Sequence, residues 1–289
     1  MSGSKALRFA KLEGLGNDYL FTEDSPKNPQ RAARLLCDRH YGVGADGLVL
    51  IMPPDNKGEA DFQIRIFNPD GSEAEMCGNA IRCLGKYLYD RGNTKKQEIN
   101  VQTLRGIIPC ILMVRDGRVY RVKADMGEPI LERAKIPMVC AAGEEEKKVL
   151  KEKIYLEDHN TFEFMALSMG NPHVVIWVED VDNFPVAKYG PMIENYSLFP
   201  NRTNVHFIQM VDEDHIKQRV WERGVGETLA SGTGACAAVV AGVLSGKIKR
   251  KAKVELRGGI LEIYWSEKDN HVYMTGPCKD VFEGQTLLI

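Results

Sequence analysis

The chain has 289 residues, 44% hydrophobic and 27% charged, enough for two compact domains or one large one. A net charge of −2 and a pI near 6.3, with no Lys/Arg cluster interleaved with aromatics, leave no footprint for a nucleic-acid partner. The best apolar run, Ala235 to Leu244, is too short for a membrane span, and seven cysteines without zinc-site spacing suggest reduced thiols, so a cytoplasmic protein is expected.

In chain order, strands are predicted at Leu48 to Met52 and Phe62 to Phe67. A Gly-containing turn follows, then a helix over Gly78 to Tyr89 with apolar residues at Ile81, Leu84, Tyr87 and Leu88, stopped by Arg91-Gly92. Strands come next at Ile107 to Val114 and Val119 to Ala124. The charged stretch Gly143 to Lys153 reads as a solvated loop or turn. Beyond it lie strands at Val174 to Val178, Val205 to Gln209 and His215 to Trp221, and a helix over Gly232 to Leu244. Strands at Lys253 to Leu256, Ile260 to Trp265 and Val272 to Thr275 close the chain. The balance is α/β, with many strands and few helices.

The two helices belong to a repeat. Leu15-Gly16-Asn17 recurs as Met169-Gly170-Asn171, an offset of 154 residues, and Arg65-Ile66-Phe67-Asn68 recurs as Arg219-Val220-Trp221-Glu222 at the same offset. That register carries Glu73 onto Glu227, Cys77 onto Ser231, Gly78 onto Gly232 and Asn79 onto Thr233. Three blocks in one register indicate a duplicated chain, whose repeated unit is strand, glycine-rich turn and helix start.

Cys77 stands at the amino end of the first helix, where backbone N–H groups and the helix dipole favour an anion, so its thiolate is a candidate base. Gly78-Asn79 and Gly232-Thr233 let the backbone approach a ligand closely. Two such helix ends could grip one carboxylate and stabilise the charge that develops when an amino-acid α-carbon loses its proton. Cys37, Cys83, Cys110, Cys140, Cys236 and Cys278 lack that context and read as structural, as do His40 and His206. Asn171-Pro172-His173 stands apart, because Asn17 in the first half also follows a glycine. No phosphate loop, Rossmann fingerprint or metal triad is present, which argues against nucleotide, flavin or zinc chemistry.

These residues resemble the diaminopimelate epimerase family. The resemblance is carried by Gly14-Leu15-Gly16-Asn17-Asp18, Asn68-Pro69-Asp70-Gly71-Ser72-Glu73, Cys77-Gly78-Asn79, Gly170-Asn171-Pro172-His173, Asn204, Glu222-Arg223-Gly224 and Gly232-Thr233-Gly234-Ala235-Cys236. It runs from about Phe9 to Met274-Thr275-Gly276-Pro277. It implies two similar α/β halves, each a curved mixed or antiparallel sheet wrapped around a central helix, related by a pseudo-twofold axis with the active site in the cleft between them. The halves would be residues 1–125 plus 268–289, and 126–267. The implied reaction interconverts LL- and meso-diaminopimelate, towards lysine and peptidoglycan, with no cofactor. Asn17, Asn68, Asn171, Asn204, Glu222 and Arg223 would hold the distal end of the substrate, and Gly78, Asn79, Gly232 and Thr233 its reacting carboxylate. Cys77 would be one acid/base; His173 and Glu222 resemble neighbours that tune thiol ionisation and bind the reacting amino group. Tyr273 resembles a tyrosine at a homodimer contact.

Two departures stand out. Gly47 lies where many relatives have a glutamine that approaches the substrate, and Ser231 where the family has its second catalytic cysteine. An epimerase impaired by Ser231 is therefore the expectation. A proline racemase-like racemase or dehydratase, or a non-catalytic diaminopimelate-binding protein, are the competing readings. The asparagine and arginine set disfavours the former, since a proline-like substrate has no distal amino-acid group to hold.

Overall fold

A computed structural model describes residues 6–287. Residues up to Asp125 together with those from Thr275 on form one compact unit, and Met126–Met274 form a second. The expected return to the first unit is at 268; compactness places it at Thr275. Backbone bonds from Met126 N to Val272 O (2.8 Å) and from Val272 N to Gly127 O (2.9 Å) keep Val272 with the second unit.

In the first unit β1 (Leu7–Gly14) and β2 (Asn17–Thr22) form a hairpin on Leu15 and Gly16, whose φ values of 60° and 82° supply the left-handed conformation that a two-residue turn needs. α1 (Pro29–Cys37) then crosses to β3 (Gly47–Met52), parallel to β2. It starts where the Asn28 side chain accepts from Arg31 N, with Pro29 at its first position, and it buries Ala32, Ala33, Leu36 and Cys37. β4 (Phe62–Phe67) runs antiparallel to β3 and to the short β5 (Glu73–Ala74). α2 (Gly78–Asp90) leads to β6 (Glu98–Thr103), parallel to β4, and β7 (Gly106–Arg115) and β8 (Arg118–Asp125) continue antiparallel.

The second unit repeats this connectivity. After a 3-10 turn at Arg133–Lys135 come β9 (Val149–Tyr155), β10 (Thr161–Ser168) and β11 (Pro172–Trp177), antiparallel in sequence. α3 (Val186–Glu194) crosses to β12 (Asn204–Asp212), parallel to β11 as β3 is to β2. β13 (His215–Glu222), β14 (Gly226–Thr228), α4 (Gly232–Leu244), β15 (Lys251–Leu256) and β16 (Gly259–Trp265) reproduce the pairings of β4, β5, α2, β6 and β7. β17 (Val272–Pro277) carries the chain back, and β18 (Lys279–Thr286) pairs with β1. The duplication reaches side chains: Arg65 pairs with Glu73 and Arg219 with Glu227, each across the turn before its helix.

Each unit buries one helix. α4 is apolar all round, and Gly232, Gly234 and every residue from Ala235 to Gly242 are buried, as an all-round apolar helix requires. Strands of its own unit contact it, β10, β11, β12, β13, β15 and β16 among them. α2 buries Ile81, Leu84 and Leu88 and also Lys86, whose Nζ is held by Asp90 (2.6 Å) and the Val119 carbonyl (2.9 Å).

One expectation needs correction. The charged stretch read as a loop through Lys153 is strand from Val149 on, paired with β10. Val149 and Ile154 turn inwards while lysines and glutamates point out, a pattern in which the charges mask the strand.

Candidate functional site

In the first unit the hairpin turn sets Asn17 at the start of β2, and Asn17 becomes a hub. Its Nδ2 donates to Asp46 Oδ2 at 2.8 Å, and its Oδ1 accepts from Asn79 Nδ2 at 3.0 Å and faces Cys77 Sγ at 3.9 Å. Asp46 in turn accepts from Arg39 and from Asp18 N, and Asp18 from Arg39 and Lys11. Burial alone would raise the Asp18 carboxyl, but the bonds from Arg39 and Lys11 outweigh it and hold it at about 2. Asn17 thus rests on a carboxylate and guanidinium scaffold.

Cys77 is the N-cap of α2, with extended backbone and no side-chain cap bond. Its sulfur lies 3.0 Å from Tyr19 Oη. The first backbone bond of the helix runs from Ile81 N to Cys77 O, so the N–H groups of Gly78, Asn79 and Ala80 are not used by the helix ladder. Asn68 donates to Ser72 Oγ at 2.9 Å in the turn after β4.

In the second unit Ser231 is the N-cap of α4, with the same extended backbone as Cys77, and its Oγ accepts from Gly234 N at 3.3 Å. Ala235 N to Ser231 O opens that ladder, leaving Gly232 and Thr233 in the corresponding place. β11 and β12 pair His173 with Asn204. Asn204 donates to the Pro172 carbonyl (2.9 Å) and accepts from Arg223 N (3.0 Å), tying the 222–224 turn to β11. Glu194 holds that turn from the other side, accepting from Gly224 N at 2.8 Å and Trp221 Nε1 at 2.7 Å. Glu222 bonds Thr228, and the Arg223 guanidinium reaches the Asn201 carbonyl.

His173 is buried in a chain of four side chains. Its Nε2 meets Asn171 Oδ1 at 2.8 Å, its Nδ1 meets His206 Nε2 at 2.8 Å, and His206 Nδ1 accepts from Gln218 Nε2 at 2.9 Å. With the two amides so oriented and both rings neutral, every bond points one way: Gln218 to His206, His206 to His173, His173 to Asn171. Burial pushes His206 down to about 3, so it stays a neutral donor to His173. A group whose folded pKa is depressed stabilises the fold fully above its unfolded value, near 6.5, and that stabilisation is lost as pH falls towards about 3. Stability is expected to drop by about 1.4 kcal/mol per pH unit in this window from His206 alone. Urea titrations at stepped pH check this, with a smaller slope expected in His206→Gln.

Of the residues that the repeat and the motifs single out, Asn17, Cys77 and Asn79 come together in one unit, and Asn171, His173 and Asn204 in the other. Tyr19, Asp46 and Gln218 carry no signal in the sequence, and His206, which reads there as structural, is bonded to His173. Tyr273 lies on β17, donating to Asp269 and stacked on Tyr264. Among the described residues no group of three or more His, Cys, Asp or Glu side chains could hold a metal ion, and no helix is long and apolar enough to cross a membrane.

The fold is that of several racemases and isomerases. A hydroxyproline epimerase from Agrobacterium vitis superposes with a TM-score of 0.75 at 14% identity, covering 99% of this chain and 94% of its own. A phenazine biosynthesis protein of the PhzF family from Bacillus anthracis does so at 0.67 and 18%, covering 98% and 99%. Sequence is more specific. The diaminopimelate epimerase family model matches residues 9–132 and 165–281. The diaminopimelate epimerase of Acetivibrio thermocellus is 52% identical over 96% of this chain and 98% of its own. That of Methanococcus maripaludis strain C5 is 50% identical over 96% and 99%. The chain belongs to the diaminopimelate epimerase family, and its class is isomerase.

Proposed function

We propose that this protein interconverts LL- and meso-diaminopimelate in the cytoplasm by moving the α-proton, without a cofactor, and that Ser231 makes it slow. The observation that carries this reading is one device used twice. Cys77 and Ser231 cap the same helix in each repeat, with φ and ψ of −140° and 118° in one and −129° and 115° in the other. Inversion needs a base on one face of a carbon and an acid on the other. Cys77 supplies one, and position 231 is the candidate for the second. Gly78, Asn79, Gly232 and Thr233, at the helix amino ends, suit the reacting carboxylate. Asn17, Asn68, Asn171, Asn204, Glu222 and Arg223 are the candidates for the distal group, and His173 and Glu222 for tuning the thiol and holding the amino group. Proton NMR of LL- and meso-diaminopimelate with the protein in heavy water tests the reading. Deuterium should enter the α-position of the isomer that faces Cys77; calorimetric binding with no exchange at either isomer would show a binding protein instead.

Tyr273 is the proposed contact of a twofold homodimer. Light scattering at micromolar concentration is expected to give twice the 32.4 kDa chain mass; a single-chain mass would remove this assignment.

A further inference from the structure

Tyr19 follows Asn17 by two positions on β2, so both side chains leave the same face of the strand, towards the first turn of α2. Tyr19 is only 6% exposed, and a phenolic O–H removed from water needs a partner. The Sγ of Cys77 lies 3.0 Å from that hydroxyl. The ring is fixed edge-on to Phe21, with centroids 6.4 Å apart.

Room for the ring comes from Gly47. A Cβ at position 47 would lie 2.8 Å from Tyr19 Cε1, 3.0 Å from Cδ1 and 2.9 Å from the Phe67 carbonyl oxygen. Gly47 is not in the left-handed region, so what excludes a side chain there is space, not backbone conformation. The departure noticed in the sequence at Gly47 and the tyrosine at position 19 are therefore two sides of one contact.

We propose that Tyr19 belongs to the acid/base centre: seated in the space Gly47 leaves, its hydroxyl donates a hydrogen bond to the thiolate of Cys77 and fixes the position of the sulfur. This rests on the reading of Cys77 as an acid/base. A thiolate only accepts, so the phenol must donate to it. When the sulfur carries its proton, the hydroxyl can turn to accept, and Asn17 Oδ1 at 3.9 Å offers the thiol a second acceptor. One residue thus serves both protonation states without moving its ring. A bond to the charged form favours that form, so Tyr19 keeps more of Cys77 ready as a base.

The test is the pH profile of Cys77 alkylation by iodoacetamide, read on the Cys77 peptide by mass spectrometry, for the parent chain and Tyr19→Phe. Tyr19→Phe removes one oxygen and keeps the packing. The charged groups around these elements include Asp18, Asp46, Arg39, Lys11 and Glu13 on the strand side and Arg82, Lys86 and Asp90 on α2, beside the buried Cys83 thiol, and all are unchanged by it. The midpoint is expected to rise by about one pH unit, and the rate at neutral pH to fall about tenfold. An unchanged midpoint, or one that falls because the hydroxyl served only as acceptor to the thiol, would overturn the proposal. Gly47→Ala should raise the midpoint in the parent and add nothing in the Tyr19→Phe background. A further rise there would overturn the role given to Gly47. Alkylation involves no substrate, so failure of the diaminopimelate reading, seen as absent exchange in heavy water, is told apart from failure of this one.

Discussion

Replacing Ser231 by cysteine is expected to raise the rate of diaminopimelate epimerisation by roughly 100- to 10,000-fold, the range over which a positioned acid or base acts. Ser231 is 5% exposed and its hydroxyl accepts from Gly234 N, so in this chain it acts as a helix cap. Cys77, in the same backbone geometry, makes no cap bond and keeps its sulfur for other partners. An alkyl hydroxyl ionises far less readily than a thiol, so serine is much the weaker acid/base, a disadvantage of which only part is felt in the transition state. The same substitution gives up a good cap, at a cost of about 1 kcal/mol. Activity and stability should therefore move in opposite directions, rate up and urea midpoint slightly down. NMR in heavy water gives the rate for both isomers. Equal, fast epimerisation by the parent chain and by Ser231→Cys would leave position 231 without a catalytic part.

What the sequence makes legible follows from how each feature is encoded. α2 and α4 stand out because their apolar residues recur at helical spacing and their glycine-rich starts repeat at one offset. α1 and α3 do not, since each has nine residues and α3 carries Pro191 inside it. β1 takes one of its partners, β18, from the far end of the chain, which no local pattern announces, and β9 is masked by the charges on its outer face. The same division holds for the site. Asn17 and Asn171 are legible through the repeat, whereas Tyr19 takes its meaning from a cysteine 58 positions away and His206 from a histidine 33 positions away. Gly47 announces itself only as a departure, and its reason, the ring of Tyr19, is visible only in three dimensions.

Gly234→Ala is expected to destabilise the protein by about 2 to 4 kcal/mol, against the usual sign for a glycine in a helix. Alanine is the better helix former by about 1 kcal/mol, so propensity alone would predict a gain. Gly234 lies in the first turn of α4, however, and a Cβ there would stand 2.2 Å from His206 Cε1, 2.7 Å from Nδ1 and 3.0 Å from Nε2. The imidazole cannot yield, because it is fully buried and held on both sides, by His173 at 2.8 Å and Gln218 at 2.9 Å. Moving it breaks two buried hydrogen bonds and releases His173 from its donor. Keeping it in place forces the α4 turn, with Gly232 and Thr233, away from its position. Either outcome exceeds the propensity gain. His206→Ala removes the ring and with it the clash, so the double variant should lose less than the sum of the two single losses, a coupling of about 1 to 3 kcal/mol. Urea unfolding of the parent, both single variants and the double closes the cycle. A Gly234→Ala chain as stable as the parent, or losses that simply add, would show that the His206 ring does not rest on this turn.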